Sequence, residues 1–234
     1  YVLLLDWPEE VVAENFTAIA VYSKMNETFT FSSSEGGAGW GDAMILIPYY
    51  YWKRYGDDAL ICEFWEEMER CFAFYKRRMG KRNLLSLFHP KRSKYDKYLC
   101  ACGRDFGEWT EPDDCAPPKS KMMIPMAEEA TAYLAYTANL MRKMASHFGK
   151  AEEAKIYKEV AVNTTKAYNY YFVKGGDIST NRMCKYVRPC GLGLAQGKSR
   201  EKLLQKIVEL NREREYKIGT GFLTTPFVFE MLSE

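Results

Sequence analysis

The sequence predicts an all-α chain built from helical hairpins, and three observations carry that prediction. Apolar residues recur at three- and four-residue spacing through most of the chain, as one face of a helix requires. The joints between these stretches are short and hold glycine, as in Gly56-Asp57-Asp58 and Gly149-Lys150; such joints make neighbouring helices antiparallel. No alternating run longer than a few residues is present, so no extended strand is expected.

The first helix is expected from about Pro8 to Met25. The second, Asp42 to Tyr55, is apolar almost all round and should be buried on most sides. Pro48 lies past its first turn, so a kink or a late start is expected there. Gly56 ends it, and Asp57 or Asp58 can cap the next helix. The third carries Ile61, Phe64, Trp65, Met68, Cys71, Phe72 and Tyr75 and closes at Gly80. Residues 80–125 break the rhythm with five prolines and three cysteines, and a loop of that length usually has a task. From Ala127 the stripe Tyr133, Thr137, Leu140, Met141, Met144 and Phe148 ends at Gly149. The next runs from Tyr157 through Val160, Ala161, Thr164, Tyr168, Tyr171 and Phe172 to Gly175. Leu203, Leu204, Ile207, Val208 and Leu210 mark another, and Phe222 to Leu232 the last. An open α-solenoid and a closed ring of hairpins, the (α/α)6 toroid, both fit. The lack of a regular repeat and the long loops between pairs favour the toroid.

The 234 residues are enough for one core, and residues 1–234 read as a single domain. Hydrophobic residues at 47% and charged residues at 27% exclude a disordered chain. A net charge of +2 does not favour nucleic acid as a partner, and no apolar run reaches the ~18 residues that span a bilayer. Aromatic residues reach 15%, more than a minimal core needs, which points to a ligand with flat faces such as a sugar. Seven cysteines cannot all pair within one chain. A zinc site at Cys100, Cys102 and Cys115 would need a histidine, and only His89 and His147 exist; reduced thiols and no metal are the expectation. The sequons at Asn15, Asn26 and Asn163 read as chance matches, because two lie in helix-like stretches. The opening residues lack the basic-then-apolar layout of a signal peptide, so a cytoplasmic location is expected, and both ends look like cuts within a longer protein.

Two patches could carry chemistry. Residues 32–42 join a Gly-rich polar loop to the most buried helix, with Glu35 and Asp42 at its ends and Trp40 offering a flat face. Structurally, Asp42 could simply cap that helix and Glu35 could be a solvated loop residue. The second patch, residues 105–114, packs five carboxylates around Trp109, including Asp105, Glu108 and Glu111. A charge run is usually a solvated face. Acids around an aromatic in a long loop also suit a sugar: the ring stacks, the acids accept from hydroxyls, and a carboxyl pair can hydrolyse a glycoside. Neither a nucleophile elbow nor a phosphate-binding loop is present.

Several segments, in order, resemble the catalytic domain of bacterial α-L-rhamnosidases of glycoside hydrolase family 78. Gly39-Trp40-Gly41-Asp42-Ala43 and Tyr55-Gly56-Asp57 resemble its GW-D-A and YGD motifs. Phe106-Gly107-Glu108-Trp109, Ala130-Thr131-Ala132-Tyr133 and His147-Phe148-Gly149-Lys150 resemble its FGDW, TAY and LGK segments. Gly219 to Pro226 resembles its TTGFLGTP segment. The resemblance covers about residues 35–232 and implies an (α/α)6 barrel that hydrolyses terminal α-L-rhamnosides with inversion, without a cofactor. It makes Glu35 the general acid, with its pKa raised toward about 6. It makes Trp40, Asp42, Asp105, Glu108, Trp109 and Glu111 the sugar-binding residues. Thr30 stands where the family carries a further acid, and the family's Trp-Glu base motif lies beyond Glu234. The base is therefore expected from outside this chain, or else from Glu108 or Glu111. Only six or seven of twelve helices are accounted for, so an incomplete ring with exposed apolar faces is expected. The carbohydrate is the expected partner. The alternatives are another (α/α)6 glycosidase of different sugar specificity and a non-catalytic helical scaffold. The loops 35–42 and 105–111 should meet in one cavity.

Overall fold

The structure is a computed structural model, and it describes residues 10, 13, 37–81, 93–103, 105–112 and 126–233. Apart from residues 10 and 13, the expected helix from Pro8 to Met25 lies outside the described residues, as do Glu35, Cys115 and the sequons at Asn15 and Asn26. Among the described residues every regular element is helical.

Helix α1 spans Ala43–Tyr55 and buries Met44, Ile45, Leu46, Pro48, Tyr49 and Tyr51. It starts directly after Asp42 and runs through Pro48, so the late start does not occur. Lys53 and Arg54 face the negative end of its dipole. Gly56 closes it at φ +76°, a left-handed conformation that a side chain would strain, and its N–H bonds to the Trp52 carbonyl. The Asp57 carboxylate then accepts the Ala59 N–H at 2.8 Å.

The stripe read as one helix is two. Helix α2 is Ala59–Glu63 and α3 is Trp65–Lys76, with Phe64 between them at φ −108°, ψ 21°. Phe64 is buried and keeps both backbone bonds, to the Leu60 carbonyl and from the Met68 N–H, so the chain turns without an orphaned group.

Helix α4, Ala127–His147, is the longest, and fourteen of its side chains are buried. Phe148 to Lys150 turns it into α5, Ala151–Tyr168, which continues as a π-turn over Asn169–Val173. The Tyr168 hydroxyl, at the end of α5, donates to Glu128 at the start of α4 (2.6 Å), so the two helices are antiparallel. Helix α6, Cys184–Gly191, does not show in the sequence pattern, because Pro189 and the glycines after it read as breakers. Helices α7, Gly197–Glu213, and α8, Thr225–Ser233, complete the described set.

One loop, residues 105–112, holds the starts of α1, α4, α6 and α8. Asp105 accepts the N–H groups of Ala38 (2.9 Å) and Met126 (3.4 Å), just before α1 and α4. Glu111 accepts Arg182, two residues before α6, at 2.5 Å. Glu108 accepts the Thr224 N–H, just before α8, at 2.8 Å. These four helices therefore begin at one mouth. Helix α4 is buried over most of its length, whereas α5 buries six of 18 residues and α7 four of 17, which marks those two as the outer layer. Inner helices starting at one mouth and outer helices returning form the (α/α)6 toroid architecture. Large exposed apolar side chains occur along the described chain, at Trp109, Ile156, Val162 and Tyr170 as well as at Tyr216, Ile218, Phe222 and Phe229.

Candidate active site

The two sequence patches meet, as far as they are described. Besides the Ala38–Asp105 bond, the Trp40 indole N–H donates to the Gly107 carbonyl at 3.3 Å. Trp40 packs among Trp109 at 5.5 Å, Phe222 at 6.0 Å and Phe106 at 6.2 Å between ring centroids. From below, α3 braces the loop: the Tyr75 hydroxyl donates to the Gly37 carbonyl at 3.2 Å.

A third segment, 219–225, joins them. The Phe222 N–H donates to the Trp109 carbonyl at 2.8 Å. Gly221 makes that approach possible, because a Cβ there would lie 2.1 Å from the Trp109 oxygen. Three motifs far apart in sequence thus form one aromatic mouth, with Trp109 40% and Phe222 56% exposed.

Three acids of the second patch, Asp105, Glu108 and Glu111, have protein partners. Asp105, 1% exposed, takes two bonds from Arg78, at 2.9 and 2.6 Å, besides its two backbone donors. Glu108, 7% exposed, is held by Arg188 at 2.6 Å and by the Thr224 hydroxyl at 2.7 Å. Glu111 accepts two bonds from Arg182, one from Nε and one from Nη2. A loop without regular structure needs such ties, and bidentate arginine–carboxylate pairs are strong and directional. The three arginines escaped the sequence reading because each comes from a helix or turn distant in sequence, with no local mark of its partner.

Asp42 differs. It has no exposed surface, and its Oδ2 accepts the Gly39 N–H at 2.6 Å. It does not cap α1 with its side chain. Oδ1 has no partner among the described residues. Burial pushes this carboxyl up to about 7; the Gly39 N–H opposes, the Asp105 charge adds and Arg78 subtracts.

Beneath the mouth, Arg188 is fully buried among Glu108, Glu128 and Glu129. Burial alone would raise Glu128, but the charges of Arg188 and Lys185, with hydrogen bonds from Lys185 and Tyr168, hold it down at about 2. Burial pushes Glu129 up to about 8, against Arg188 and with Glu108 and Glu128. Its Oε1 has no partner among the described residues.

The sequence model of the bacterial α-L-rhamnosidase six-hairpin glycosidase domain matches residues 12–234. The chain belongs to that family. The chain is 24% identical over 200 residues to an α-L-rhamnosidase of Streptomyces avermitilis, covering 85% of this chain and 17% of the relative. It is 25% identical to an α-L-rhamnosidase of Formosa agariphila, over 84% of this chain and 20% of the relative. Among solved structures, the Streptomyces avermitilis α-L-rhamnosidase in complex with L-rhamnose superposes with a TM-score of 0.67 at 24% identity, over 85% of this chain and 17% of that one. The native α-L-rhamnosidase of Aspergillus terreus gives 0.61 at 20% identity, over 84% and 21%. These structural likenesses show the fold. The chain spans about a fifth of the length of the curated relatives it matches.

Within this six-hairpin domain, the described residues hold no group of three or more His, Cys, Asp or Glu side chains that could bind a metal ion. No described helix is long and apolar enough to cross a membrane. The only described His, His147, is occupied by Asp58 at 2.7 Å, on α4's far end.

Proposed function

We propose that this chain supplies part of the active site of a glycoside hydrolase acting on terminal α-L-rhamnosides with inversion. The observation that carries the reading is the convergence of Trp40, Trp109 and the buried, half-partnered Asp42 at one mouth. An aromatic face suits the C–H face of a pyranose, and a carboxylate oxygen without a partner suits a hydroxyl. Glu35, seven residues before Asp42, protonates the leaving oxygen, and a carboxylate from elsewhere in the parent protein activates water on the opposite face. Asp105, Glu108 and Glu111 position the loop and contact no sugar. Neither Glu108 nor Glu111 is the base, because an arginine-paired, buried carboxylate is poorly placed to take a proton from water. The proposed chemistry needs no cofactor, and carbohydrate is the partner.

A panel of p-nitrophenyl glycosides assayed with the full-length parent protein tests this. Turnover of the α-L-rhamnoside with release of the β-anomer, followed by NMR, is the expected result. Turnover of another glycoside alone moves the reading to a different sugar, and turnover of none removes it.

A further inference from the structure

Glu129 is a buried acid that the proposed hydrolysis does not use. It sits in the first turn of α4, 2% exposed. Charged and titratable groups face it from each element packed there. Glu128 is beside it on α4, and Tyr168 of α5 donates to Glu128. Asp105 and Glu108 face it from the mouth loop, and Arg78, just after α3, is spent on Asp105. Lys185 and Arg188 come from α6, beside Cys184, whose thiol burial pushes up. Asp105 and Arg78 balance each other. Glu108, Glu128 and Glu129 then set three carboxyls against two cations, Lys185 and Arg188. With all three ionised, one negative charge would lie buried and uncompensated, the costliest arrangement.

The geometry says which carboxyl keeps its proton. Glu128 takes Lys185, Arg188 and the Tyr168 hydroxyl. Glu108 takes Arg188 at 2.6 Å and both the N–H and the hydroxyl of Thr224. Glu129 has only the Arg188 Nη2, at 3.5 Å, and its Oε1 has no partner among the described residues. That Nη2 is the same nitrogen that donates to Glu108. The Arg188 Nε has no partner among the described residues, so the guanidinium is not held on every edge. Burial pushes the Glu129 carboxyl up to about 8, with Arg188 opposing and Glu108, Glu128 and Asp105 adding.

We infer that Glu129 is a positioning residue that works only as the neutral acid: uncharged, it leaves the Arg188 Nη2 to Glu108, and ionised, it draws that nitrogen away and frees the 219–225 segment from the mouth loop. The proton passes to solvent hydroxide, leaving water and the carboxylate, and no other bond is made or broken. Glu108 is the link, because its second oxygen holds the Thr224 N–H and hydroxyl while the Phe222 N–H rests on the Trp109 carbonyl. The raised acid keeps its proton below about pH 8, so the mouth is assembled there and loosens above it.

Hydrogen exchange of the full-length parent protein, read by mass spectrometry on the peptide that contains residues 219–225, tests this. It needs no substrate, so its outcome is separate from that of the rhamnosidase reading. After correction for the intrinsic pH dependence of exchange, protection of this segment in wild type should fall at least tenfold from pH 7 to pH 9.5, while α7 keeps its protection. Glu129→Gln, uncharged at every pH, should hold the segment within about threefold over the same range. No fall in wild type, a fall that α7 shares, or an equal fall in Glu129→Gln overturns the inference. Should Glu129→Gln not fold, Glu129→Leu removes the same competitor for Arg188 and carries the same expectation, and the wild-type series alone can still overturn it.

Discussion

Replacing Asp42 by Asn keeps the shape of the side chain and removes its charge. The amide oxygen can still accept the Gly39 N–H, which the carboxylate now accepts at 2.6 Å. In the folded chain burial pushes the carboxyl from 3.8 to about 7. At ~1.4 kcal/mol per tenfold, ionising Asp42 costs roughly 4 kcal/mol more in the folded chain than in the unfolded one. The folded state therefore holds a proton that the unfolded state releases between those values. Where the folded state binds more protons, stability falls as pH rises. Wild type should lose this contribution from about pH 4 to about pH 7 and stay level above. Asp42→Asn has no such loss. Urea unfolding followed by tryptophan emission should find the two proteins within about 1 kcal/mol of each other near pH 4, and the variant ahead by roughly 3–4 kcal/mol near pH 8. Activity should move the other way, with binding and turnover both weakened, because a charged acceptor for a hydroxyl is gone. A gap that does not change with pH, or a variant less stable than wild type at pH 8, would refute the argument that Asp42 is a buried, strained acid.

In the full-length protein, Glu35→Gln should abolish cleavage of rhamnosides with poor leaving groups and spare those with good ones, because the latter need less proton assistance; a uniform, less than threefold change across a leaving-group series would remove Glu35 as the acid. Gly221→Ala sets a Cβ 2.1 Å from the Trp109 carbonyl oxygen, so the segment must shift, and kcat/KM should fall on the order of a hundredfold with circular dichroism unchanged. Arg188→Met leaves Glu108 and Glu128 buried without their shared cation, and denaturant unfolding at neutral pH should show a loss of about 3–5 kcal/mol.

The helices were legible wherever a stripe met a glycine stop: α1 at Gly56 and α4 at Gly149 end where the pattern ends. Helix α6 was not, because its eight residues carry a proline, and its buried face includes Arg188, which hydropathy counts as surface. The break at Phe64 was also invisible, since the apolar spacing runs straight through it. For the site, the two Trp-containing loops could be paired because hairpin ends converge in a toroid. What the sequence could not tell was the task of the acids. Asp105, Glu108 and Glu111 look the same in the sequence whether they face a sugar or three arginines, and the arginines stand at 78, 182 and 188. Phe222 was missed for the opposite reason: an exposed phenylalanine looks like a buried one until its surroundings are known.

The loop at 105–112 has a consequence for anyone who would transplant it. Its ties reach 27 residues back to Arg78 and 71, 80 and 116 residues forward to Arg182, Arg188 and Thr224. A graft of the eight residues into another hairpin scaffold would carry three carboxylates and none of their counter-charges. Each would arrive as a solitary anion in a poorly hydrated place, and the loop would open to find water. The portable unit is the loop together with three arginines and one threonine borrowed from across the chain.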